Sequence, residues 1–189
     1  MAESKWFYAN KSTRNISALV IGLGILGTAL FLVLGRKFGL DARPGFFGTY
    51  APLYSDINLV VEMLMVIGLI SGYILIRNKI RSGHQYMQTA MVLLNLVMTI
   101  FFMALVFVQL LKPGTVLSIS VLAEIAHGTV GVIAVLTGLY LLLAMNDLLP
   151  KSWQIKNWKN LMRFAIWAYG AVALGGIAVY ALFFLGLKF

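Results

Sequence analysis

Five apolar runs organise the chain, at roughly 17–35, 57–76, 86–111, 117–145 and 163–187. Each is close to or above the about 20 residues that an α-helix needs to cross a hydrocarbon core of about 30 Å. No water reaches that depth, so each segment must satisfy its own backbone N–H and C=O groups. Runs rich in Val, Ile and Phe are therefore helices there, whatever their strand propensity in water. The pattern predicts an all-α integral membrane bundle of five transmembrane helices, a single membrane domain over 1–189 with no room for a soluble one.

Polar positions within these runs give each helix an inward face. At about 100° per residue, Asn58, Glu62 and Tyr73 cluster on one side of span two. His84, Gln88, Met91, Asn95, Phe102 and Gln109 form a longer stripe on span three, and Ser120, Glu124, His127, Gly131 and Gly138 share a face of span four. Glu62 and Glu124 stand out because an ionisable group in hydrocarbon costs at least about 2.5–3.5 kcal/mol on insertion scales. Each calls for a partner, a proton, a metal or water. At about 1.5 Å per residue, Glu62 is expected about 8 Å and Glu124 about 10 Å below the outer surface. Asn95 and His127 fall near the midplane, and His84 lies about 15 Å nearer the opposite face than His127.

The connections carry the charge. The N-terminal tail holds Lys5, Lys11 and Arg14, the second connection Arg77, Lys79 and Arg81, and the fourth Lys151, Lys156, Lys159 and Arg163. Arg36, Lys37, Arg43, Lys112 and Lys188 fall on the other side, so the positive-inside rule places the N-terminus in the cytoplasm and the C-terminus outside. The net charge of +9 thus reports topology and gives no sign of a nucleic-acid partner. Ser17 to Leu34 is long for a signal-peptide core and no A-x-A site follows it, which predicts an uncleaved first span. The 36–56 connection, with Pro44, Gly45, Gly48 and Pro52 among Phe46, Phe47, Tyr50 and Tyr54, is expected to be an ordered outer loop. Its aromatics suit lipid headgroups or a docking partner. Lys112 to Val116 reads as a tight turn joining spans three and four.

Composition narrows the chemistry. At 61% hydrophobic and 11% charged residues, the chain departs from the about 25% charged residues of soluble proteins. The absence of cysteine removes thiolate metal sites, disulfides and covalent c-type haem. Glu124-x-x-His127 with Glu62 from a neighbouring helix resembles half of a carboxylate-bridged di-iron site, so a single divalent metal on Glu62, Glu124 and His127 is the most these ligands support. The alternatives are a hydrogen-bonded network, in which one glutamate is protonated or pairs with protonated His127, and proton transfer through the same groups. Asn58, Asn95 and Gln109 extend that polar network. For haem b, His127 could supply one axial ligand with Met65 or Met98 opposite; His84 is a second candidate cofactor ligand, too far in depth to share one haem with His127. An interfacial, solvated position beside Arg81 is the default for His84, with a haem propionate or lipid phosphate bound alongside Arg77, Lys79 and Arg81 as the alternative. Gly22, Gly24 and Gly27 spell G-x-G-x-x-G, but without a preceding strand the dinucleotide mechanism is missing and helix packing accounts for them. Trp153, Trp158 and Trp167 suit an aromatic belt.

Gly83-His84-Gln85-Tyr86-Met87, the internal His127, and Trp158-Lys159-Asn160-Leu161-Met162-Arg163 leading to Ile166-Trp167-Ala168-Tyr169 carry a further signal. Over roughly 56–185 the chain resembles the bacterial membrane family called domain of unknown function 420. Members often occur with haem–copper oxidase assembly functions and typically show four histidines, two towards each membrane face. This chain keeps one per face, and Gln109 and Trp158 stand where the other family histidines are expected. The resemblance implies a multi-pass protein of the bacterial inner membrane. With redox ligands lost or remodelled, it implies a non-catalytic accessory or assembly subunit of a respiratory, terminal-oxidase-type complex. The expected partners are the bilayer and other membrane subunits. A haem b or single-metal protein is the alternative, and a proton-conducting or transport bundle the third reading.

Overall fold

The computed structural model describes residues 11–110, 112–113, 118–145, 149–153 and 155–185. Lys5, Lys188 and the 114–116 part of the expected tight turn lie outside them. Five helices are long and apolar enough to cross a membrane: α1 (Lys11–Lys37), α2 (Leu53–Arg77), α3 (Arg81–Leu110), α4 (Ile119–Met145) and α5 (Trp158–Phe184). The chain is an all-α, multi-pass membrane protein. Among the described residues there is no strand, only an isolated bridge between Pro44 and Pro52.

Helix ends differ from the apolar runs for a consistent reason. α2, α3 and α5 start at Leu53, Arg81 and Trp158, ahead of the expected 57, 86 and 163. An apolar count measures hydrocarbon depth, whereas a helix continues through the polar interface with side chains that prefer it. α1 stops where Arg36 and Lys37 meet the negative end of its dipole and Gly39 turns left-handed at φ 69°. α2 ends at a turn in which Lys79 adopts φ 62°, held by Lys79 N–H to Ile76 O at 3.1 Å and Ile80 N–H to Leu75 O at 2.9 Å.

α2 to α5 form a closed ring: α2 packs on α3 and α5, and α4 packs on α5 and α3. Consecutive members run in opposite directions, so one end of the ring carries the 38–52 loop and the other carries the Arg77, Lys79 and Arg81 connection. We call these the loop face and the basic face. α1 stands outside the ring against α3. One core cluster, including Met65, Ala134, Ala168 and Tyr169, fills the ring; a second, of Leu32, Tyr54, Val97, Met98 and Phe102, fastens α1 towards the loop face.

Small residues set the approach distances. A Cβ on Gly68 would overlap Met91, and one on Gly72 would overlap Gln88, so these two glycines let α3 lie close to α2. By contrast, a Cβ on Gly22, Gly24 or Gly27 would meet nothing within 4 Å. Among the described residues the packing role expected of the G-x-G-x-x-G residues is not filled, and all three glycines are exposed.

The loop between α1 and α2 is tied at several points. Gly45 N–H donates to Ala51 O at 2.9 Å, and Leu53 N–H donates to Arg43 O at 2.8 Å. Asp56, fully buried in the first turn of α2, accepts from Tyr180 Oη of α5 at 2.6 Å and from Phe47 N–H at 2.9 Å. Thr49 Oγ1 lies 2.9 Å from the same Tyr180 hydroxyl and accepts Ala51 N–H at 3.1 Å. Arg36 is paired with Asp41 at 3.3 Å, so part of the positive charge on the loop face is neutralised locally. Phe46, Phe47 and Tyr50 remain exposed around this frame.

Candidate functional site

The helix that shapes the site most is α3. Thr99–Met103 is a π-helical turn, which inserts about one extra residue and rotates everything beyond it by about 100°. The stripe of His84, Gln88, Met91 and Asn95 therefore faces the ring, with Phe102 still buried, while Gln109 is exposed. The expected place of Gln109 in the polar network is thus corrected by a register shift that uninterrupted 100° steps cannot show.

A similar correction applies on α2. Beyond its first turn, Glu62, Met65, Gly68 and Gly72 are its buried positions, and steps of three and four residues mark the drifting seam of helices that cross at a shallow angle. Tyr73, expected beside Glu62, lies just off that seam. It is 54% exposed and is approached by the Arg77 guanidinium, whose Nη1 is 3.3 Å from the hydroxyl.

Where the seams of α2, α3 and α4 meet, Asn58, Glu62, Asn95 and His127 line one cavity of about 30 Å³, together with Thr99, Met103 and Gly131. The π turn contributes Thr99 and Met103, placing the irregular segment of α3 against the carboxylate and the imidazole. Asn58, one turn before Glu62, sits beside its carboxyl group. Glu62 Oε2, His127 Nδ1 and Asn95 Nδ2 are buried with no hydrogen-bond partner among the described residues, their residues being 4%, 7% and 5% exposed. Buried polar atoms are rarely left unpaired, so three around one small cavity call for water or another ligand.

Two adjacent glycines of α5 make the room. A Cβ on Gly176 would lie 2.8 Å from Glu62 Cδ, and a Cβ on Gly175 would lie 3.0 Å from His127 Nδ1. Neighbours on a helix point about 100° apart, so α5 serves α2 with one glycine and α4 with the other. Sequence reasoning missed this pair, and the available signal was two consecutive glycines in the middle of an apolar run. It also missed Tyr169, whose buried hydroxyl lies over Gly138 and faces Asn95.

Glu124 does not join the cavity lining. It is half-buried, one turn nearer the loop face, because facing at i, i+3 leaves it about 60° off the direction of His127. Among the described residues no three His, Asp or Glu side chains come together as metal ligands, so the Glu62, Glu124 and His127 set is not assembled. Among the described residues the space beside His127 is too small for a haem macrocycle. A cavity of about 150 Å³ is what benzene occupies, several times the volume beside this ring. Met98 lines the same small space, and Met65 is packed at 0% exposure in the core.

His84 is not at a solvated interface. Because α3 begins at Arg81, the ring sits one turn inside the helix, 4% exposed, with Nδ1 2.8 Å from the Gly72 carbonyl of α2. It lines a second cavity of about 70 Å³ on the basic-face side, with Gln85, Gln88, Thr89 and Tyr169 among apolar side chains. The two histidines thus belong to separate cavities. Compared with family models, curated proteins and solved structures, the chain matches none.

Proposed function

We propose that this membrane protein handles protons at the Glu62 and His127 cavity, with Glu62 taking up and releasing the proton and His127 exchanging it through intervening water. The observation that carries the proposal is the meeting of a carboxylate and an imidazole from two helices around one small cavity, each with an unpartnered buried atom. At roughly 10–15 Å³ per water, a cavity of about 30 Å³ admits about two. Water there would lie beside Glu62, Asn95 and His127, each of which has a polar atom without a partner among the described residues. A pair built only for strength would be expected to bond directly, as Asp56 and Tyr180 do at 2.6 Å. Ionisable groups inside a membrane bundle commonly mark such pathways.

Proteoliposomes with an entrapped pH dye and an imposed potassium diffusion potential test this. Proton flux should exceed that of protein-free vesicles and fall at least tenfold in Glu62→Gln. Flux indistinguishable from empty vesicles, or undiminished in Glu62→Gln, would refute the proposal.

An accessory or assembly role in a respiratory, terminal-oxidase-type complex of the bacterial inner membrane is the second reading. It is supported by α1, whose three glycines and large apolar residues such as Leu19, Leu23 and Leu26 are left uncovered among the described residues, and by the family resemblance over 56–185. On that reading the basic face is cytoplasmic, and mild-detergent purification recovers the chain with other membrane subunits. Recovery as a lone chain from native membranes would count decisively against it.

A further inference from the structure

Resting on the proton-handling reading, we infer that the basic-face cavity is a water-filled access route to Glu62 and that Tyr169 is its link to the inner site. The cavity is about 70 Å³, which at roughly 10–15 Å³ each holds about five waters. Its walls are largely apolar, and a purely apolar cavity stays dry. Gln85 decides the matter. The residue is 3% exposed, lines this cavity, and has neither Oε1 nor Nε2 bonded among the described residues. An amide with both ends unpaired in a dry cavity is costly, whereas water satisfies the donor and the acceptor together. Gln88 and Thr89 add polar groups along the same wall.

One pair of facing side chains belongs to both linings, one residue to each. Tyr169 lines the basic-face cavity and faces Asn95, which lines the cavity of Glu62 and His127. Tyr169 Oη and Asn95 Nδ2 are both buried without a protein partner. A phenol hydroxyl donates and accepts, so it can pass a hydrogen-bonded chain between the two water clusters; a phenyl ring cannot. Gly138 keeps the position open, since a Cβ there would overlap the hydroxyl. α3 contributes Gln85, Gln88 and Asn95 to the resulting line, which runs from the basic face to the middle of the ring. Tyr169 is a positioning residue here, acting through water on Glu62.

The chain has no cysteine, so a single introduced one is the only thiol target. Thr89→Cys and Gln88→Cys should each react with a charged, water-soluble methanethiosulfonate added at the basic face, at least tenfold faster than Ile70→Cys on the exposed apolar surface of α2. Equal rates, or reaction only with a lipid-soluble maleimide, would overturn the water-filled route, and this readout needs no proton flux. In proteoliposomes, Tyr169→Phe should lower proton flux at least tenfold while leaving Thr89→Cys labelling unchanged. Undiminished flux in Tyr169→Phe removes the link. Absence of flux in the wild-type protein removes the link together with the proton-handling proposal, while the labelling rates still decide whether the cavity is wet.

Discussion

Two buried carboxylates of α2, less than two turns apart, are treated in opposite ways. Asp56 is fully buried and its oxygens accept from the Tyr180 hydroxyl at 2.6 Å and the Phe47 N–H at 2.9 Å. It also occupies the first turn of its helix, where the dipole favours a negative charge. Glu62 is almost as buried, yet one of its oxygens has no protein partner and it borders a cavity. The first arrangement ties a loop and two helix ends together and engages both oxygens. The second leaves its unused hydrogen-bonding capacity beside a space of water size. Burial of a charged residue type is therefore not the mark of a site in this bundle; unfinished hydrogen bonding next to a cavity is.

The largest test of that contrast is to remove each carboxylate. Asp56→Ala strands the Tyr180 hydroxyl and the Phe47 amide, and unsatisfied buried groups cost about 1–3 kcal/mol each. A total loss of about 3–5 kcal/mol is expected, in the range seen when one partner of a buried charged pair is deleted. Glu62→Gln keeps the shape and a hydrogen-bonding amide, and should cost less than about 1.5 kcal/mol, the upper value for one ordinary hydrogen bond. Thermal unfolding of both variants in the same detergent measures the difference. Similar losses in the two would erase the distinction between a tie and a site.

The same contrast explains what sequence alone could show. Five helices follow from the absence of water in hydrocarbon, and facing with depth brings Glu62, Asn95 and His127 together, whereas Glu124, expected with them, stays off the cavity that Asn58 lines. Gln109 went astray because a π turn changes register without any glycine or proline to announce it. Tyr73 did so because crossing helices follow a drifting seam rather than a straight line. For His84 a solvated position is the default because the apolar run begins five residues after the helix does, at 86 instead of Arg81. Asp56 and Tyr180 stand 124 residues apart, at opposite ends of the ring's sequence. Only the closure of α5 against α2 brings them together, and no local pattern encodes it.

A second test fills the cavity side of the comparison without touching its polar atoms. In Gly176→Ala the new methyl would come within 2.8 Å of Glu62 Cδ, so α5 or the carboxylate must shift. Overpacking typically costs about 1–3 kcal/mol, and displacement of Glu62 should reduce proton flux as strongly as Glu62→Gln. Gly170→Ala is the matched control on the same helix, since its Cβ would meet nothing within 4 Å. Its melting temperature and flux should stay at wild-type values. A Gly176→Ala protein with unchanged flux would mean that the space beside Glu62 is not part of the pathway.

The smallest expected effect concerns how α1 is held to the loop face. Tyr54 donates one hydroxyl hydrogen between two acceptors, Phe31 O at 3.0 Å and Leu32 O at 2.9 Å, and its ring packs within the cluster that includes Leu32 and Phe102. Gly35 clears the space for that hydroxyl, because a Cβ there would overlap it. Tyr54→Phe keeps the ring and loses a single shared hydrogen bond, so about 0.5–1.5 kcal/mol is expected. The loss should be local, because α1 lies outside the ring formed by the other four helices. Hydrogen exchange in detergent micelles should speed up at the end of α1 around Phe31 to Gly35, with the Glu62 and His127 segments unchanged. Faster exchange at Glu62 would show that the loop-face ties and the inner cavity form one cooperative unit, and the division between the two buried carboxylates would then describe chemistry but not stability.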